Sequence, residues 1–125
     1  MILKISEEQK EIAKLAYDFA VKTIKPIRSK WDENEEFPIE LIGEMRKMDL
    51  FGLWLPEELG GVNQGITSLC AAIEQMSRVC AGISLPVATS ALGSIGLFLY
   101  ATKEQREKWM KDIARGDKLA AFALT

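Results

Sequence analysis

Between Arg78 and Lys103 the chain carries no charged residue, and this stretch constrains the fold more than any other. A run of that length is able to span a bilayer. Yet Gly82, Pro86, Gly93 and Gly96, with Ser84, Thr89, Ser90 and Ser94, interrupt its apolarity, and no basic cluster marks an inside loop. It reads instead as the buried central helix of an all-α domain, expected from about Pro86 to Ala101. Its small residues, Ala88, Ala91, Gly93 and Gly96, would let neighbouring backbones come close or leave a groove for a slender ligand.

The flanking sequence supplies the covering helices. Ser6-Glu7-Glu8-Gln9 has the capping-box pattern, Ser6 as N-cap and Gln9 reaching back. Ile12, Leu15, Ala16, Phe19, Ala20 and Thr23 then repeat at helical spacing as one buried stripe. Pro26 disfavours helix at Lys25, which predicts a break there and a short helical piece through Trp31. A second helix is expected from Phe37-Pro38, with Pro38 in the first helical position. Leu41, Ile42, Met45 and Met48 form its buried face, and Gly52 is expected to end it.

Leu53 to Pro56 reads as a short extended link, and Gly60-Gly61 as a turn of positive φ. A third helix is expected over Thr67–Ala81, with Leu69, Ile73, Met76 and Cys80 inward and Glu74 paired to Arg78. Thr102-Lys103-Glu104-Gln105 is a second capping box; Trp109, Met110 and Ile113 should face inward and Gly116 close the helix. The sum is an orthogonal bundle of about five helices. Leu119 to Thr125 then reads as an emergent strand, and a chain that stops inside a strand is expected to be a piece of something larger.

Composition narrows the function. Apolar residues make up 48% and charged residues 27% of 125, the balance of a soluble globular domain. A net charge of −2 without long single-sign blocks argues against nucleic acid or an anionic membrane as main partner. There is no histidine, so a self-contained hydrolase or metalloenzyme is a poor fit. Cys70 and Cys80, read on one helix, would stand roughly 15 Å apart, beyond the reach of about 7 Å a disulfide allows. Buried free thiols, and with them a cytoplasmic location, are expected. Trp31, Trp54 and Trp109 are expected as packing anchors, and the run from Asp32 to Glu36 as a solvated loop rather than a metal site.

In this order the segments SEEQKEIAKLAYDFA, FPIELIGEMRKMDLFGL, PEELGG, IEQMSRVCA, SALGSIG and TKEQREKWMKDIARGDKLAAFALT resemble the N-terminal domain of the acyl-CoA dehydrogenase family. Each is weak alone; their collinearity over nearly the whole chain carries the resemblance. It implies an N-terminal helical domain over 1–118 and, in 119–125, the first strand of a middle β-domain. A C-terminal four-helix bundle and the catalytic glutamate would lie elsewhere, leaving no catalytic residue in this chain.

The resemblance also implies FAD, held in part by Phe122, Leu124 and Thr125 along the isoalloxazine. Backbone N–H groups and the Thr125 hydroxyl would face the ring edge where charge develops on hydride arrival. Periodicity alone reads the same residues as a buried strand. Leu85, Ala88, Thr89 and Leu92 would line the fatty-acyl pocket, although core packing explains them equally well.

The implied activity is α,β-dehydrogenation of an acyl-CoA thioester. A glutamate takes the α-proton, the β-hydride passes to flavin N5, and a trans-2-enoyl thioester is released. Electron-transferring flavoprotein is the implied acceptor and a homo-oligomer, tetramer or dimer, the implied state. The chain alone is expected to be inactive, to bind FAD weakly or not at all, and to self-associate through its uncovered apolar faces. A same-scaffold flavin oxidase or monooxygenase with a non-CoA substrate, or a stand-alone helical interaction module, remain alternatives.

Overall fold

The computed structural model describes residues 5–123, and among them it contains six α-helices and no strand. The all-α reading holds. The first capping box forms as expected: Gln9 N–H donates to Ser6 Oγ at 3.1 Å and Ser6 N–H to Gln9 Oε1 at 2.9 Å. It opens α1 (Glu7–Phe19), which runs into a π turn over Ala20–Ile24. Lys25 N–H reaches back five residues to Ala20 O at 2.9 Å. The expected break before Pro26 thus arrives as a widened turn, and the short piece through Trp31 is α2 (Arg28–Glu33). Only a narrow face of α1 is covered, by the equally long helix α4 (Gly65–Ser77). Leu15, expected in the buried stripe, is 58% exposed, whereas Ala16 and Ala20 are fully covered.

Helix α3 (Ile39–Lys47) starts one residue after Pro38, which takes the N-cap position rather than the first helical one. It also stops short of Gly52. Asp49 adopts φ +53 and turns the chain, with Leu50 N–H returning to Met45 O at 3.3 Å. Gly52 serves a different purpose: a Cβ there would lie 2.9 Å from Ala114 O.

The expected extended link is a buried turn, because its backbone is paired at a distance. Val62, Asn63 and Gln64 N–H groups donate to the carbonyls of Gly52, Leu55 and Leu53 at 3.0, 2.8 and 2.9 Å. Gly60 has φ +82 as expected; Gly61 does not, and is glycine because a Cβ would sit 2.0 Å from Leu55 O.

Helix α4 begins and ends earlier than expected, so Cys80 becomes the N-cap of α5 (Ala81–Tyr100). The Glu74–Arg78 pair does not form among the described residues. Arg78 lies at the end of α4, donates to Gln75 Oε1 at 2.7 Å, and covers the Tyr17 ring at 5.0 Å. Both cysteines are free, Cys70 within α4 and Cys80 before α5, and Cys70 is exposed and Cys80 half-buried rather than both buried. Helix α5 starts five residues before Pro86, near enough to its N-terminus that proline forfeits only the bond to Gly82 O. Gly82 is exposed, so water can take that carbonyl.

The second capping box opens α6 (Lys103–Ala114), with Gly116 at φ +70 beyond its end. Met110 and Ile113 are buried, but Trp109 is 38% exposed, its ring held between Lys108 and Lys118. Trp54 is a packing anchor, edge-on to Phe98 at 5.2 Å. The core joins Ala16, Ala20 and Ile24 to Met45, Leu55, Met76, Val87 and Met110, where flexible thioethers fill the space between crossing helices.

Candidate functional site

Helix α5 is long and apolar enough to cross a membrane, yet only 39% of its most apolar window is buried. It is half-covered rather than central. One face, with Ile83, Ser84, Val87, Ser90 and Ser94, packs into the core. The opposite face turns Leu85, Leu92, Ile95 and Leu99 outward. Residues 85, 89 and 92 follow i, i+4, i+7 spacing and share that face, as their sequence positions require.

A groove lies on each side of this ridge. The first, of about 360 Å³, holds Leu85 and Thr89 opposite Phe37, Leu119 and Ala121. The second, of about 200 Å³, holds Ala88 and Leu92 opposite Trp54, Leu69 and Ile73. The four expected acyl-pocket residues are thus neighbours on one helix face, divided between two grooves. Among the described residues no charged side chain lines either groove. Thr89 Oγ1 donates back to Leu85 O at 2.8 Å, so its proton is engaged within the helix. Such surfaces can hold an apolar chain and exclude water.

Residues 119–123 pass beside α5 without forming a strand; a ladder would need a second strand to pair with. Ala120 N–H donates to Ser90 Oγ at 3.2 Å. Gly93 permits the crossing: a Cβ there would lie 2.7 Å from Ala121 N and C. Gly96, the other glycine expected to admit a close backbone, has nothing within 4 Å of its Cβ position. Phe122 is 55% exposed. Leu124 and Thr125, the other two expected flavin contacts, lie outside the described residues. The amides of 119–123 lie outside any helix.

The shifted titrating groups stand away from both grooves. The Arg115 side chain hydrogen-bonds Asp117 and holds its carboxyl below the ordinary value, with Arg46 adding to the effect. The same bond raises Arg115. Glu104 is lowered by its own backbone N–H first, then by Thr102, at the start of α6. No cluster of three or more His, Cys, Asp or Glu able to hold a metal occurs among the described residues. Sequence reasoning missed Trp54, Leu69 and Ile73 as groove walls, and Ser90 as the anchor of the 119–123 run. The only signal for Ser90 was a polar residue on the inward side of an uncharged helix.

Among the described residues the domain is helical throughout, and it presents an apolar face beside two grooves. The comparisons define its family. The family model described as acyl-CoA dehydrogenase, N-terminal domain, matches residues 6–117. An acyl-CoA dehydrogenase of Bacillus subtilis is 37% identical over 98% of this chain and 33% of its own length. A 3-(aryl)acrylate reductase of Clostridium sporogenes is 40% identical over 96% of this chain and 32% of its own length. The crystal structure of an acyl-CoA dehydrogenase complexed with FAD from Bacillus anthracis superposes with a TM-score of 0.79 at 29% identity. It is matched over 94% of this chain and 21% of that one. The chain belongs to the acyl-CoA dehydrogenase family, as its N-terminal domain. It spans about a third of the length of these curated relatives.

Proposed function

We propose that this chain is the helical lid of an FAD-dependent acyl-CoA dehydrogenase, an oxidoreductase acting on CH–CH bonds. The observation that carries the reading is the outward apolar face of α5, flanked by two uncharged grooves and adjoining the run that bears Phe122. Leu85, Ala88, Thr89 and Leu92 would hold the acyl tail, and Phe122, Leu124 and Thr125 the flavin. Bound there, FAD would supply the hydride acceptor for α,β-dehydrogenation. The residues of this chain bind, orient and keep water away; the base that takes the α-proton belongs to the remainder of the protein. Acyl-CoA as substrate, electron-transferring flavoprotein as acceptor, a homo-oligomeric state and a cytoplasmic location complete the proposal. The two unpaired cysteines agree with a reducing compartment.

A second reading is favoured by one comparison, the 40% identity to an (aryl)acrylate reductase. On it the same lid covers reduction of an enoyl substrate that lacks CoA. Purified full-length protein decides between them. Bleaching of the flavin by saturated acyl-CoA supports the first reading; turnover only of free acrylates with a reduced donor supports the second. A stoichiometric yellow complex formed by residues 1–125 alone, with dehydrogenase turnover, would overturn the lid assignment.

A further inference from the structure

We propose that Ser90 and Gly93 are positioning residues that register the flavin-contacting run against the acyl-binding face of α5. This rests on the function proposed above and extends it to residues that touch neither ligand. Three observations carry it. Ser90 is 1% exposed, and its hydroxyl oxygen accepts the Ala120 N–H at 3.2 Å, tying residues thirty apart. Gly93 lies one helical turn further on the same side, and a Cβ there would fall within 2.7 Å of Ala121 backbone atoms. Backbone atoms cannot rotate out of the way, so a side chain at 93 must push the run off the helix. The groove beside these contacts is the one shared by Leu85, Thr89 and Ala121.

The hydrogen bond therefore fixes the run along α5, and the missing side chain fixes its depth. Phe122 follows two residues after the anchored amide. Its placement relative to Thr89 is set by this pair rather than by Phe122's own exposed ring. A displaced run would move the amides proposed to face the flavin edge, which would change the electronics of the flavin as well as its affinity.

The test uses full-length flavoprotein carrying Gly93→Ala, Ser90→Ala, Ser90→Thr or the control Gly96→Ala. Alanine favours helix over glycine, and position 96 has open space, so a purely helical effect would move both glycine variants together. The expected result is a shifted flavin absorption band and reduction potential in Gly93→Ala and none in Gly96→Ala. In Ser90→Ala the Ala120 amide should exchange faster, by about threefold to tenfold, the net worth of one hydrogen bond. Ser90→Thr, which keeps the hydroxyl, should restore it. An unchanged flavin band and potential in both Gly93→Ala and Ser90→Ala would overturn the positioning role while leaving the lid reading intact. A full-length wild type that carries no flavin would overturn both.

Discussion

Gly61→Ala should be among the most damaging single-methyl additions to this chain. The added Cβ would lie 2.0 Å from Leu55 O and 2.4 Å from Leu55 C, both backbone atoms, so no rotamer change relieves it. The 60–64 segment must back away from 52–55, and the three bonds from Val62, Asn63 and Gln64 N–H to Gly52, Leu55 and Leu53 O are the ones at risk. At about 1 kcal/mol net for each bond, their loss costs ~3 kcal/mol. That is a large share of the 5–15 kcal/mol typical of a domain. With about 2.1 cal/mol/K of unfolding entropy per residue, it corresponds to a fall in Tm of about 11 °C for a chain of this length. Thermal melts followed by far-UV circular dichroism would read it, with Gly43→Ala as the matched control. Gly43 lies inside α3 with nothing within 4 Å of its Cβ position, and alanine there should add up to ~1 kcal/mol. A Gly61→Ala melt within about 2 °C of the parent would refute the close-approach argument, since that is well below one hydrogen bond by the same entropy.

Met45→Ala removes a fully buried side chain and should cost about 2–5 kcal/mol, read from urea midpoints at constant m-value. Thr102→Ala deletes the α6 capping box and should cost about 1 kcal/mol in the same assay, with Thr102→Ser recovering most of it. Asp117 is held below its ordinary carboxylate value, first by Arg115. A depressed folded pKa stabilises above the unfolded value and fades as pH falls through the acid range, so Asp117→Asn should flatten stability loss between roughly pH 5 and 3. An equally steep acid limb in the variant would show that the Arg115 bond does not contribute.

What was legible in the sequence is what local chemistry settles. Both capping boxes, the φ of Gly60 and the C-terminal glycine at 116 depend on residues within one turn, and all four form as read. The misread places have non-local causes. Leu53 to Pro56 is a buried turn because the amides of Asn63 and Gln64, well beyond it in sequence, take the Leu55 and Leu53 carbonyls. Pro86 reads as a helix start, yet α5 extends past it because the lost bond falls at an exposed Gly82. Trp109 has an inward register but stays 38% exposed, with the Lys108 and Lys118 ammonium groups over its ring. For the site, spacing places 85, 89 and 92 on one face. Their division into two grooves depends on where Trp54 and residues 119–121 come to lie, which no helical period encodes.

Helix α5 also resists the plainest account of itself. A helix that exists only to fill a core buries leucine and leaves serine outside. Here Ser84, Ser90 and Ser94 are buried while Leu85, Leu92, Ile95 and Leu99 face out. The buried hydroxyls have partners: Ser84 Oγ donates to Ala81 O and Ser94 Oγ to Ser90 O within the helix, both at 2.7 Å, and Ser90 Oγ accepts from the Ala120 N–H outside it. Small, hydrogen-bonded residues let the core side sit close to its neighbours at little desolvation cost. The large apolar side chains are then free for the outward face, where core packing gives them no use. An amphipathic helix inverted in this way would suit the lid proposed above: thin toward its own domain, and apolar toward whatever it closes upon. The test is a swap of volume between the faces. Leu92→Ser should leave the Tm of the chain within a few degrees, because half of that side chain already meets water. In full-length enzyme the same change should raise KM for the acyl substrate far more than it lowers kcat. A collapse of stability instead would return Leu92 to the core and remove the case for inversion.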